Sequence, residues 1–237
     1  MRPVLYVGSA WSASWSICGW MACRLGGLDV EMRTLHLDVP TTKIELKSVS
    51  PSGRVPVLVV EGQPIWDSLA IAEFAWERNP RSPIWPTDGR ARAYARSIAA
   101  EVHAQFEEVR AALPMNLVKR WPIARSLPSA ESHFNRAGIK GGEQGVRNGL
   151  RRMEEAWRDC RVIYGAGGSF LFGQDFTFAD ALFAPMCSRY RTYGLQAEAD
   201  ATAYIEAVLA HPLMREWAEL AERDAQEFGR EVAAAYP

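Results

Sequence analysis

The stretch Ser52-Gly53-Arg54-Val55-Pro56-Val57-Leu58-Val59-Val60-Glu61-Gly62, followed by Trp66-Asp67-Ser68-Leu69-Ala70-Ile71-Ala72-Glu73-Phe74, constrains this chain more than any other part of it. Its first half runs from a loop into an apolar set rich in β-branched valine, the pattern of a buried strand bounded by turn residues. Pro56 stands at the mouth of that strand, where the lack of an N–H costs no ladder bond. A cis Val55–Pro56 peptide would turn the Val55 N–H and C=O outward, where they can pair with a peptide backbone. In the second half, Asp67 and Ser68 precede a helix-periodic apolar set, Leu69, Ile71, Ala72 and Phe74. They therefore sit at a helix N-terminus, which favours a bound carboxylate. A strand-entry proline or a helix cap alone means little; at this spacing the pair reads as a device for holding a peptide thiol.

Hydrophobic periodicity divides the rest of the chain in two. Up to about residue 78, strand and helix signals alternate: strand 4–8, helix 14–25, strand 30–36, a short helix near 42–48, strands 56–60 and 63–66, and helix 67–78. This βαβαββα order is thioredoxin-like. The segment Asn79-Pro80-Arg81-Ser82-Pro83-Ile84-Trp85-Pro86-Thr87-Asp88-Gly89 carries too many prolines for either regular element and reads as a linker. Beyond it the pattern is helical, with helices expected over 90–112, 140–163, 177–190, 199–209 and 212–229. The expected organisation is a thioredoxin-like domain over 1–79, a linker over 80–89 and an all-α domain over 90–237. In the second part, Thr177 and Asp180 have the spacing of a capping box that starts a helix, which makes Asp180 structural.

Composition removes several classes of function. With 237 residues and 48% hydrophobic content the chain is long enough to bury a sizeable core, and its net charge of −1 argues against a nucleic-acid binder or a polybasic membrane anchor. No apolar run approaches a membrane span and no leader stands at the start, so a cytoplasmic protein is expected. Cys18, Cys23, Cys160 and Cys187 have neither C-x-x-C nor zinc spacing and read as structural thiols, Cys18 lying nearest the thiol site. His36, His133 and His211 have no matching ligand set, so no metal site is expected. Gly138-Ile139-Lys140-Gly141-Gly142 lacks both the preceding strand and the spacing of a P-loop.

Arg54-Val55-Pro56, the strand after it, and Asp67-Ser68-Leu69-Ala70-Ile71 resemble the glutathione site of the cytosolic glutathione transferase superfamily. The resemblance implies that Val55, before the cis-proline Pro56, pairs through its backbone with the cysteinyl part of glutathione. It also implies that Asp67 and Ser68 hold the γ-glutamyl end, and that Arg54 reaches the glycine carboxylate, a task suited to a guanidinium. A thiol with a pKa of about 8.5 needs an activator at neutral pH. Hydroxyls cluster at the start of the first helix, and Ala13-Ser14-Trp15-Ser16-Ile17-Cys18-Gly19-Trp20 resembles the serine-rich opening of zeta-like and related bacterial members, in which a serine donates to the glutathione sulfur. Ala13 stands where the first serine of that pattern usually falls, which leaves Ser14 as the expected donor, with Ser12 and Ser16 as alternatives. Ser16 also reads as a cap.

Three further segments, Ala100–Phe106, Arg110–Asn116 and His211–Trp217, look like a group of proteobacterial glutathione transferases, so the resemblance spans nearly the whole chain. His103 and Arg110, seven residues apart, would share a polar face of one long helix, beside a core face carrying Phe106 and Leu113. An acceptor pocket is expected from Trp11, Trp15, His103, Met115 and the loop from Asn116 to Lys140, suited to an apolar electrophile. The function implied is a glutathione transferase with glutathione as co-substrate and a small-molecule electrophile as acceptor, paired as a homodimer. The alternatives are a glutathione-dependent isomerase or reductive cleavage enzyme, and a non-catalytic adaptor or ligand carrier.

Overall fold

The structure is a computed structural model and describes residues 2–36, 42–122 and 141–228. It separates into two compact units, one made of Met1–Trp85 with Pro212–Pro237 and the other of Pro86–His211.

The first unit holds a four-stranded sheet in the order β2-β1-β3-β4, with β1 Val4–Val7, β2 Glu31–Thr34, β3 Val57–Val60 and β4 Gln63–Ile65. β1 and β2 are parallel and joined through helix α1, Ser14–Gly26, as a parallel pair requires a crossover. Helix α2, Thr42–Val49, leads on to β3, which runs antiparallel to β1 with Tyr6 opposite Val57. β3 and β4 form a hairpin closed by Glu61 and Gly62, both at positive φ (51° and 83°), the two-residue turn whose twist suits the flanking strands. Helix α3, Ser68–Arg78, follows β4. α1 ends where the sequence changes to Gly26-Gly27: Gly27 adopts φ 73° and its N–H returns to the Arg24 carbonyl, while the Leu28 N–H reaches Cys23. The thioredoxin-like order read from the sequence is thus the order found.

α1 and α3 approach closely because two glycines, one above the other on α1, leave room. A Cβ at Gly26 would lie 2.6 Å from that of Ala75, and one at Gly19 would lie 2.6 Å from Cγ of Pro56. The pyrrolidine ring is tied to its own backbone and cannot swing aside. Gly19→Ala is therefore expected to cost about 1–3 kcal/mol of stability through overpacking. It should also displace Pro56; chemical denaturation of that variant checks the cost.

The last described helix, Pro212–Phe228, belongs to this same unit. Trp217 on it is fully buried, its ring 5.3 Å from that of Trp20 on α1, and Glu216 forms an ion pair with Arg24.

The second unit is helical: α4 Gly89–Ala104, α5 Glu107–Ala112, α6 Gly142–Tyr164, α7 Phe178–Tyr193 and α8 Ala199–Ala210; Pro212–Phe228 is α9. Asp88 caps α4 through the N–H groups of Arg90 and Ala91. Trp157 of α6, buried, packs edge-on to Phe183 and against Tyr190 and Tyr204, which makes the centre of this unit. The capping box is present: the Asp180 carboxylate accepts the Thr177 N–H at 2.8 Å and the Thr177 hydroxyl at 2.9 Å. It also accepts the Leu171 N–H and the Tyr204 hydroxyl.

One expected element is corrected. The helix read over 90–112 is two, broken where Gln105 is extended and Phe106 takes φ 65°. The break turns Phe106 into the core and brings Val109 onto α6 at Gly149, where a Cβ would lie 2.6 Å from a Val109 methyl. Arg110 then bonds the Val102 carbonyl at 3.2 Å, satisfying one of the carbonyls left over at the end of α4. His103 and Arg110 consequently lie on different helices, and the continuous polar face expected of them does not exist.

Candidate functional site

Strand register brings three separate segments to one end of the sheet. β1 finishes there at Val7 and runs into the loop before α1; β3 starts there, since Val57 pairs with Tyr6; and β4 finishes there, since Ile65 pairs with Leu58. Ser12 and Ser14, Val55 and Pro56, and Asp67 and Ser68 therefore meet at the same edge, although up to 56 residues separate them in the chain. This is the arrangement an extended tripeptide needs: a strand-like backbone to pair with, a helix N-terminus for a carboxylate and a hydroxyl between.

The Val55–Pro56 peptide is cis. Pro56 is buried against α1, Val55 is half-buried, and none of the described hydrogen bonds uses the Val55 N–H or C=O. Arg54 is exposed, and the hydroxyl of Ser50, itself buried, holds its backbone by accepting the Arg54 N–H at 3.2 Å and donating to the Arg54 carbonyl at 2.8 Å. The guanidinium thus projects from a fixed backbone. Asp67 is the N-cap of α3, extended, its carboxylate accepting the Leu69 N–H at 2.9 Å. It is exposed whereas Ser68 behind it is fully buried, so Asp67 presents the open face of this helix start.

The loop between β1 and α1 is folded on itself. The Ser9 carbonyl accepts the N–H groups of Ser12 and Ala13, at 3.1 and 2.8 Å. The three serines then differ in use. Ser16 is buried and its hydroxyl accepts the Gly8 N–H at 2.9 Å, tying the first turn of α1 to the end of β1. Ser12 and Ser14 are half-buried. Ser14 is the first residue of α1, where N–H groups lack helical partners, and among the described residues none bonds to its hydroxyl. A hydroxyl and a helix N-terminus both stabilise a thiolate.

The cysteines are not arranged for chemistry. All four are buried, and burial pushes the Cys23 and Cys160 thiols up to about 12 and Cys187 well above its ordinary value. Cys18 donates its thiol to the Ser14 carbonyl, back along its own helix.

The expected acceptor residues are divided between the units. Trp11, buried, and Trp15, half-buried, flank Ser12 and Ser14 in the first. His103 ends α4 half-buried, and Met115 is buried, in the second. Met115 lies in a strap held to α7 by Arg189 to the Leu113 carbonyl, Tyr193 to Pro114 and Thr192 to Asn116. The part of the expected loop over 123–140, with His133 and most of the glycine-rich segment, lies outside the described residues.

Comparison with known proteins places the two parts of the chain in one family. Residues 13–78 match the N-terminal domain of the glutathione S-transferase family and residues 93–220 match its C-terminal domain. A probable maleylacetoacetate isomerase of Caenorhabditis elegans is 32% identical over 188 residues, 78% of this chain and 77% of its own length. Among solved structures, a glutathione transferase homolog from Burkholderia with bound glutathione superposes with a TM-score of 0.66 at 22% identity, covering 94% of this chain and all of its own. The holo structure of a maleyl pyruvate isomerase, a bacterial zeta-class glutathione S-transferase, gives 0.68 at 21% identity over 92% of this chain and 97% of that one. The fold is that of the glutathione-using transferases. The chain belongs to the glutathione S-transferase family. Among the described residues no group of His, Cys, Asp or Glu could hold a metal ion, and no helix is long and apolar enough to cross a membrane.

Proposed function

We propose that glutathione lies across this end of the sheet with its cysteinyl backbone on Val55, presented by Pro56, its γ-glutamyl end at Asp67, and its glycine carboxylate toward Arg54; Ser68, expected to share the γ-glutamyl contact, is fully buried behind Asp67 and supports the helix start instead. Ser14 donates its hydroxyl to the sulfur, with Ser12 as the neighbouring alternative, and the thiolate so held attacks an electrophilic carbon. The observation that carries this reading is the convergence, by strand register, of a Val55 peptide that no described hydrogen bond engages, an exposed Asp67 at a helix start and the Ser14 hydroxyl at another. The work of the site is electrostatic stabilisation of the thiolate, which makes the nucleophile without a separate base. A homodimer in the cytoplasm is part of the reading, as its family membership supports.

The relative from Caenorhabditis elegans favours one acceptor chemistry in particular. Addition of the thiolate to a cis carbon–carbon double bond conjugated to a carbonyl places the electron pair on the carbonyl as an enolate. Rotation about the resulting single bond and expulsion of the thiolate then give the trans isomer and return glutathione. Conjugation differs in that the sulfur stays on the product, with protonation of the enolate or loss of a leaving group. The two are separated by following free thiol while the enzyme turns over maleylpyruvate and, separately, a halogenated nitroaromatic. Isomerisation with a constant thiol titre, and little conjugation, is the expected result. Loss of one thiol per product from both acceptors assigns a conjugating transferase instead, and turnover of neither, with glutathione bound, moves the protein to the carrier class.

A further inference from the structure

Three residues that no motif connects with the thiol site, Trp217, Asp224 and His36, converge on the loop that carries it. The Ala10 N–H donates to the Asp224 carboxylate at 2.7 Å, and the Trp217 indole N–H donates to the Ala10 carbonyl at 2.8 Å. Both groups of one peptide residue are thus held by one helix, α9, from more than 200 positions along the chain. Beside them the Ser9 hydroxyl and His36 Nδ1 lie 3.2 Å apart, and the ring of His36 packs on Phe228 of α9 with centroids 3.5 Å apart. Ser9, Ala10, Trp217 and Asp224 are all buried, and all belong to the first unit.

The consequence for the site follows from the chain. Ala10 sits inside the turn closed on the Ser9 carbonyl by the N–H groups of Ser12 and Ala13, and Ser14 begins α1 directly after it. Ser16 fixes the far side of this loop by its bond to Gly8. Without the grip on Ala10 the turn would be held from one side only, and the hydroxyls of Ser12 and Ser14 would lose their fixed distance from Val55 and Asp67. Positioning of this order matters, because a displacement of about 1 Å in a reacting group costs up to about a hundredfold in rate.

Resting on the glutathione reading above, we propose that α9 is part of the thiol-activating apparatus: Asp224 and Trp217 are positioning residues that clamp the Ala10 peptide and so set the place of the serine hydroxyls. A carboxylate accepting a backbone N–H forms a strong, charge-assisted bond. The titratable groups facing Asp224 are His36, on the segment after β2, and Glu227, on its own helix. Burial raises the Asp224 carboxyl, and the Ala10 N–H and His36 draw it back.

The test compares Asp224→Ala, Asp224→Asn and Trp217→Phe in the full chain, reading glutathione affinity by calorimetry, kcat and KM, the pH profile of kcat/KM, and the melting temperature. Asp224→Ala is expected to leave glutathione affinity within about threefold, lower kcat at least about tenfold, and move the acidic limb of the profile to higher pH by about one unit, since the bound thiol is less stabilised. Asp224→Asn keeps an oxygen to accept the Ala10 N–H and should recover most of the rate. Trp217→Phe keeps a ring against Trp20 and removes only the donor to the Ala10 carbonyl; it should shift the profile in the same direction. Variants that melt earlier yet keep the wild-type kcat and profile overturn the proposal, because α9 then serves packing alone. If Asp224→Ala does not fold, the profile of Trp217→Phe decides by the same criterion. Wild-type protein that binds no glutathione overturns the reading of the site and this inference with it, whereas wild-type binding with variants indistinguishable from it overturns the inference only.

Discussion

Ser14→Ala should lower turnover by about a hundredfold or more while glutathione affinity stays within a few-fold, as removal of one donor aimed at a developing or stabilised anion does elsewhere. The asymmetry comes from where the contacts lie. In the proposed reading, affinity for the tripeptide rests on Val55, Asp67 and Arg54, none of which touches the sulfur, whereas Ser14 meets only the thiol. Its helix position supports this: Ser14 opens α1, with Ala13 as a cap that lends no side chain, so a thiolate there also feels the N–H groups of the first turn. Steady-state kinetics beside calorimetry of the Ser14→Ala, Ser12→Ala and Ser16→Ala variants separate the three hydroxyls. Ser16→Ala should instead lower stability, because it strips the buried Gly8 N–H of its acceptor. A Ser14→Ala protein with wild-type turnover and a Ser12→Ala protein without it would transfer the role to Ser12.

Asp180→Ala should be the most destabilising of these substitutions, by about 3–5 kcal/mol in denaturant unfolding, with no direct effect on chemistry. The carboxylate is completely buried and accepts four donors, from Leu171, Thr177 twice and Tyr204, tying the 165–177 loop, the start of α7 and α8 together. Burial pushes its pKa up to about 6 against the pull of those donors, so it is ionised at neutral pH. Alanine leaves all four donors without their acceptor in the interior. Asparagine does not rescue it, since its amide would set an N–H₂ against one of the two donor pairs. An Asp180→Ala protein with wild-type unfolding would contradict the capping box as the anchor of the helical unit.

Most elements were legible because their signals are local. Pro56, the Glu61-Gly62 turn, the Gly26-Gly27 stop and the Thr177/Asp180 spacing each act within a few residues, through fixed φ, a positive φ or a side chain bonding its own backbone. The break at Gln105-Phe106 carries no such mark. Neither residue is a helix breaker, and φ 65° at a phenylalanine is sustained by the burial of its ring and the docking of Val109 at Gly149, which only the tertiary fold supplies. Within the proposed site, the segments carrying Ser14, Val55 and Asp67 are visible in the sequence because each is a short motif, and register places them at one end of the sheet. The clamp on Ala10 was invisible for the opposite reason: Asp224 is one of several acidic residues on an amphipathic helix, and nothing near it in the chain distinguishes it from Glu219, Glu222 or Glu227. His36 was likewise a histidine without a visible partner until the fold set it beside Ser9.

The proposed glutathione receptor is the end of the sheet where Val55, Asp67 and Ser14 converge. Calorimetric titration of the wild-type chain and of Asp67→Ala with reduced glutathione tests it most directly. Saturable one-to-one binding to the wild type is expected, with at least about a tenfold loss of affinity in the variant and the fold intact, since a charged contact to the tripeptide is worth more than about 1.4 kcal/mol. Equal affinity in the two proteins, or no binding by the wild type, would contradict it.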